Sequence, residues 1–204
     1  MQKMAIFGAG GHGVVVADVL EALKIPYLVI DDAPIPKQLN GISAITKSDF
    51  LALRDAKEHG VVLAIGNNAV RKNLYEFFMQ NDFCLPSIIH PSAIISKTAK
   101  IANAVVVMSN AVVNARTQVS AGAILNTASV VEHDCHVGAF AHIAPNATLC
   151  GGVSIGALTH IGAGSVVIEG KSVGEHCVIG AGSVVINPIP SFKRVVGNPA
   201  KREV

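Results

Sequence analysis

Ile161-Gly-Ala-Gly-Ser-Val-Val167 returns as Ile179-Gly-Ala-Gly-Ser-Val-Val185, eighteen residues later. Working outward from this pair, every sixth residue from Ile89 to Val185 is Ile, Val or Leu, seventeen positions in all. These three types supply 59 of 204 residues, so chance would give such a column about once in a billion trials. Two residues before each aliphatic, from Ala93 to Ser183, the side chain is Ala, Ser, Thr, Cys or Val, and only Lys171 breaks the rule. A period of six fits neither a 3.6-residue helix nor an isolated strand. It fits a coil of three short strands per turn, with one large and one small side chain pointing inward on each side. Eighteen residues then make one triangular turn. Residues 89–190 make about 5.7 turns, a prism about 27 Å long at the spacing of stacked strands, with open strand edges only at its two ends.

The rest of the chain obeys other rules. Residues 1–88 hold 17 of the 30 charged residues, whereas residues 89–190 hold eight. The change falls near Pro86–Pro91, which sets expected units at 1–87, 88–190 and a tail at 191–204. Charged residues are only 15% of the chain and hydrophobic ones 50%, which argues against disorder. A net charge of +2 supplies no basic field for nucleic acid. Every apolar run is interrupted too soon for a membrane span. Four cysteines without CxxC spacing read as free thiols of a reducing compartment, so a cytoplasmic protein is expected.

In the first unit, an apolar strand at 4–7 leads into Gly8-Ala9-Gly10-Gly11-His12-Gly13 and a helix over 14–23. This is a G-x-G-x-x-G turn in its strand–turn–helix setting, where backbone N–H groups approach a phosphate at a helix N-terminus. A strand at 27–30 ends in Asp31-Asp32, acids placed for ribose or sugar hydroxyls. A helix over 48–59, a strand over 61–65, the loop Gly66-Asn67-Asn68 and a helix over 69–80 complete a small Rossmann-like unit. At about 85 residues it is half a dinucleotide fold, which suits a mononucleotide better than NAD.

Between Ile101 and Ile168 only Arg116, Glu132 and Asp134 are charged, and the two acids flank His133. A carboxylate beside an imidazole fixes its tautomer and raises its basicity. Such a base can take a proton from an amine or hydroxyl nucleophile. Asn126, seven residues before the histidine, adds a polar contact.

The stretches Gly8–Gly13, Asp31-Asp32, Ile65-Gly-Asn-Asn68, Leu125-Asn-Thr127, Val131-Glu-His-Asp-Cys135 and Gly197-Asn-Pro-Ala200 resemble the bacterial hexapeptide-repeat sugar acetyltransferases. The likeness is greatest to those acting on UDP-4-amino-sugars in the bacillosamine pathway, with the sialic acid O-acetyltransferases as relatives. The resemblance implies a left-handed parallel β-helix behind the Rossmann-like domain. It also implies that the first domain holds a sugar nucleotide through Gly10, Gly11, His12, Gly13, Asp31, Asp32, Gly66 and Asn67, without NAD. It makes His133 the general base, with Asp134 expected to orient it and Glu132 the alternative. His142 would line the acetyl site, Gly151 would offer its N–H to the oxyanion, and Ala163 and Ala181 would flank acetyl-CoA. Lys193, Arg194, Lys201 and Arg202 form a basic tail suited to CoA phosphates or to solvent.

The CoA groove of this family lies between parallel prisms, which implies a homotrimer. His142 and the Asp134-Cys135 that follow His133 favour an amine acceptor over sialic acid O-acetylation. Two other readings use the same prism. His142 and His160, 18 apart, resemble two ligands of a γ-type carbonic anhydrase, but no third histidine has the spacing and no metal is expected. A non-catalytic scaffold would leave the Glu132-His133-Asp134 cluster without a purpose.

Overall fold

The computed structural model describes residues 3–35 and 37–204. Strands β1 (Lys3–Phe7), β2 (Tyr27–Ile30), β3 (Gln38–Leu39), β4 (Ile42–Ile45) and β5 (His59–Leu63) form one sheet in the order β3-β4-β2-β1-β5. All neighbours are parallel except β3 and β4. The strands β1 and β5 are almost wholly buried, as expected for apolar runs covered on both faces. Helices α1 (Gly11–Ala22) and α3 (Asn68–Gln80) follow β1 and β5 as expected.

Two features depart from the sequence reading. The expected helix at 48–59 is instead α2 (Lys47–Ala52), stopped where Leu53 turns extended, with a short 3-10 turn at Ala56–Glu58. Thr46 caps α2 by accepting from the Asp49 N–H at 3.1 Å. The β3–β4 hairpin was not expected. Its turn is Asn40-Gly41, both at positive φ, the pairing that two-residue hairpins favour.

The second domain is a left-handed parallel β-helix. Seventeen two-residue strands run from Ile88–Ile89 to Val184–Val185, one every six residues, and build three parallel sheets. Up to Val166–Val167 each strand pairs with the one eighteen residues on, as in Ile124↔His142 and Leu125↔Ile143. From Val107 to Val185 the aliphatic column is entirely buried. Ile89, Ile95 and Ile101 pack less deeply at the open end. The small column lies inside too, and some of its hydroxyls reach the next turn: Thr117 donates to the Glu132 carbonyl at 2.6 Å and Ser165 to that of Gly180 at 2.8 Å. Every sixth residue from Ala104 to Gly182 takes a left-handed conformation, and nine of these fourteen corners are not glycine. After residue 190 the chain stays ordered. Arg194–Val196 pairs in parallel with Val178–Ile179, and Arg202–Glu203 returns antiparallel to it.

The prism presents one face to the α/β domain. Ile88, Val106, Met108 and Ile124 belong to the same buried cluster as Met4, Ile6, Val16 and Leu20. Arg71 of α3 is fully buried at this junction. It donates to the carbonyls of Ile65 (2.8 Å) and Gly66 (3.3 Å) in its own domain, and of Gly122 (2.7 Å) and Phe140 (2.8 Å) in the prism. Asn68 adds a bond to the Leu158 carbonyl at 3.0 Å. With so many carbonyls the buried guanidinium is well solvated by backbone, although burial lowers its pKa to about 10.

Candidate active site

The three edges of the prism have different tasks. One, which carries Gly122, Phe140 and Leu158, receives Arg71 and Asn68. The next carries Ala163 and Ala181, both exposed and one turn apart. The third joins the sheet of Val130–Val131 to that of His136–Val137, and Glu132, His133 and Asp134 lie on it.

On this third edge the His133 side chain is 58% exposed, and its Nδ1 lies 2.8 Å from Asp134 Oδ2. Asp134 sits at a left-handed corner, φ 60°. From the preceding turn, Arg116 grips the same carboxylate with Nε on Oδ1 (2.6 Å) and Nη2 on Oδ2 (2.7 Å). The hydrogen bonds from Arg116 and then His133 hold the Asp134 carboxyl far below the usual carboxylate range. A carboxylate that stays ionised favours the proton on Nδ1, which leaves Nε2 unprotonated in the neutral ring. Glu132 instead accepts from the His133 backbone N–H at 3.3 Å. One turn later Gly151 lies against the ring. A Cβ there would come within 2.7 Å of both Cε1 and Nε2 of His133. Among the described residues, no acceptor within the chain takes the Gly151 N–H.

His142 is in a different setting. It projects from the face that the α/β domain covers and is buried. Asn126 accepts from the Thr127 N–H at 2.8 Å, which orients its amide so that Nδ2 donates to His142 Nε2 at 3.0 Å. The proton of His142 therefore sits on Nδ1, which is buried without a partner among the described residues. The ring meets His160 edge to face at 4.9 Å and lies 6.4 Å from the His12 ring. Burial, followed by the neighbouring His160, Arg71 and His12, lowers the His142 pKa to about 3. Burial and Arg71 lower that of His12 to about 4. Both imidazoles are neutral near pH 7.

The glycine loop crosses this same junction. Gly10 caps α1, and Gly10 and Gly11 are exposed. Gly13 packs so tightly that a Cβ would fall 2.1 Å from the Gly8 carbonyl oxygen. The two acids brace the chain. Asp31 accepts from the N–H groups of Ala9 (2.7 Å) and Ala33 (2.8 Å) and from Lys37 (3.2 Å). Burial alone would raise its pKa, yet those bonds keep it low. Asp32 accepts from the Lys47 N–H at 2.7 Å. Asn67 caps α3 by accepting from the Val70 N–H at 3.0 Å. A cavity of about 290 Å³ opens between the domains, lined in part by Gly66, Asn67, Leu158, His160 and His176.

The structure thus groups the expected residues into two sets. The glycine loop, Gly66, Asn67, Asn126 and His142 gather at the domain junction. His133, Asp134, Glu132 and Gly151 gather on the edge opposite that face. Arg71 was missed by the sequence reading, because a lone arginine on an amphipathic helix carries no signal of burial.

Residues 3–78 match the PglD N-terminal domain, and residues 134–169 match the bacterial transferase hexapeptide (six repeats). Together they define a hexapeptide-repeat transferase with a dedicated N-terminal domain. The acetyltransferase domain of PglB from Neisseria gonorrhoeae FA1090 is 38% identical with a TM-score of 0.93, covering 98% of this chain and 99% of that one. It has also been solved in complex with acetyl coenzyme A. A mutant of perosamine N-acetyltransferase from Caulobacter crescentus, with one histidine changed to asparagine, was solved in complex with CoA and GDP-perosamine. It is 33% identical with a TM-score of 0.93, covering 98% of this chain and 95% of that one. UDP-N-acetylbacillosamine N-acetyltransferase of Bacillus subtilis (strain 168) is 36% identical over 115 residues, 53% of this chain. That alignment spans 52%, about half, of the curated relative. The chain belongs to this family of hexapeptide-repeat sugar acetyltransferases.

Proposed function

We propose that the protein transfers the acetyl group of acetyl-CoA to the 4-amino group of a nucleotide-linked sugar. The acceptor is of the UDP-4-amino-4,6-dideoxy-N-acetylglucosamine type, and the reaction serves bacterial glycan synthesis in the cytoplasm. The observation that carries this reading is the open Nε2 of His133, braced through Nδ1 by Asp134 and set against a glycine whose N–H is free. As the amine attacks the thioester carbonyl, His133 Nε2 takes its proton. The Gly151 N–H receives the developing oxyanion, and the collapse of the intermediate expels the thiolate of CoA. The amine acceptor follows from relatives whose names are those of N-acetyltransferases.

The sugar nucleotide lies at the domain junction, beside the glycine loop and His142. His142 lines this junction, its ring held in place by Asn126. His133 projects from the opposite edge of the same prism, so one chain cannot turn both histidines toward one small molecule. A second copy must supply one of them, which favours the homotrimer, with acetyl-CoA running past Ala163 and Ala181 between prisms.

The test is to mix the protein with acetyl-CoA and UDP-, GDP- or dTDP-linked 4-amino-sugars and follow free thiol. Thiol release with one of them is expected, and silence with all of them overturns the reading. Light scattering of the active sample should give three chains. An active monomer would remove the shared site.

A further inference from the structure

Arg116 is a charged side chain of the prism's charge-poor stretch that the proposed chemistry leaves without a task. It comes from the turn below Asp134, eighteen residues away, and both residues occupy left-handed corners at φ 61° and 60°. Its guanidinium takes both carboxylate oxygens, at 2.6 and 2.7 Å, and shares Oδ2 with His133 Nδ1. The Arg116 side chain is 67% exposed and that of Asp134 42%. An exposed pair gains little from charge attraction alone, and what sets this one apart is its bidentate geometry. Two-point contact does fix the carboxylate plane, which a single bond from His133 would leave free to rotate.

We propose that Arg116 is a positioning residue for the base: it aims Asp134 Oδ2 at His133 Nδ1 and offsets the charge that would otherwise draw a proton onto the imidazole. This rests on the reading of His133 as the base. The other groups around the ring do not perform that task. Glu132 on the same turn bonds the backbone. On the next turn Gly151 carries no charge, and burial pushes the Cys150 thiol up, so it stays neutral. Glu169 holds the same edge position two turns on. Arg116 is thus the sole cation among the described residues that touches the pair. Without it the acid on either side of His133 would favour imidazolium, and the base would be occupied by a proton at higher pH.

The experiment follows the His133 Cε1–H signal by NMR through a pH titration of the intact protein, assigned by its loss in His133→Ala. It compares wild type, Arg116→Gln and Arg116→Lys. In Arg116→Gln the midpoint should rise by about half a pH unit or more, and Arg116→Lys should return it toward wild type. The acid limb of kcat/KM should move with the midpoint, while KM for both substrates stays within about twofold. A midpoint that is unmoved or lowered in Arg116→Gln overturns the proposal. So does a tenfold rise in either KM with the midpoint in place, which would make Arg116 a substrate contact. The titration needs no substrate, so it reads the clamp even if acetyl transfer to amino-sugars is never found.

Discussion

His133 and His142 stand nine residues apart, within one turn of the prism, yet their surroundings are opposed. His133 is open to solvent, paired with a carboxylate and an arginine beyond it. His142 is sealed under the α/β domain, neutral, and fixed by an amide. The repeat assigns each side chain an address, with neighbours at eighteen-residue intervals. What packs outside that address decides the chemistry. On the covered face burial strips charge from the imidazole, and on the free edge a carboxylate and an arginine fix the orientation of the ring.

The contrast can be broken most strongly at the open edge. His133→Ala should lower acetyl transfer by about 10²–10⁴ while thermal unfolding and the oligomer stay unchanged. Initial rates and a melting curve on the same sample check this, and an unchanged rate removes His133 as base. The covered face depends on its anchor. Arg71→Met leaves the carbonyls of Gly122, Phe140 and Ile65 without their donor, for a loss of about 3 kcal/mol or more. Urea unfolding would read it, and an unchanged midpoint would contradict the role given to Arg71.

The pH dependence of stability sharpens the same difference. His142 and His12 titrate near 3 and 4 in the fold, against 6.5 when unfolded. Below pH 6.5 the unfolded chain therefore binds more protons. Stability is full above that pH and falls as the medium is acidified toward 4, by up to about 1.4 kcal/mol per pH unit for each group. His142→Gln should remove roughly half of that slope between pH 6.5 and 4.5 in urea titrations. Equal slopes would show that His142 is not held neutral. The smallest effect is steric. Gly151→Ala puts a methyl against the His133 ring and should cost about tenfold in kcat with little change in stability. A full rate would mean that the ring does not need its present place.

The prism was legible because its rule is local and repeated. Every inward residue answers to the same space, so the aliphatic column from Ile89 to Val185 states the fold outright. The grouping of Glu132, His133 and Asp134 was legible for the converse reason, since charge on so bare a wall stands out. The junction was not. Ile88, Val106 and Ile124 look like any outward strand residues, and their burial follows from a domain the period says nothing about. Arg71 and the two roles of Asn126 depend on contacts between residues far apart in sequence. The grouping of the site into two opposed sets was also out of reach, because spacing gives the turn but not which faces are covered. The β3–β4 hairpin could have been found from Asn40-Gly41, flanked by Leu39 and Ile42. The break after Ala52 had no comparable signal.

The corner rule has a further consequence. A left-handed backbone is cheapest for glycine, and a side chain there costs about 1 kcal/mol. Arg116 and Asp134 both occupy such corners, directly above one another. Exchange of either for glycine should relieve that cost while removing the clamp on the His133 ring. Corners that resist this trade mark where an enzyme is distinguished from a mere support.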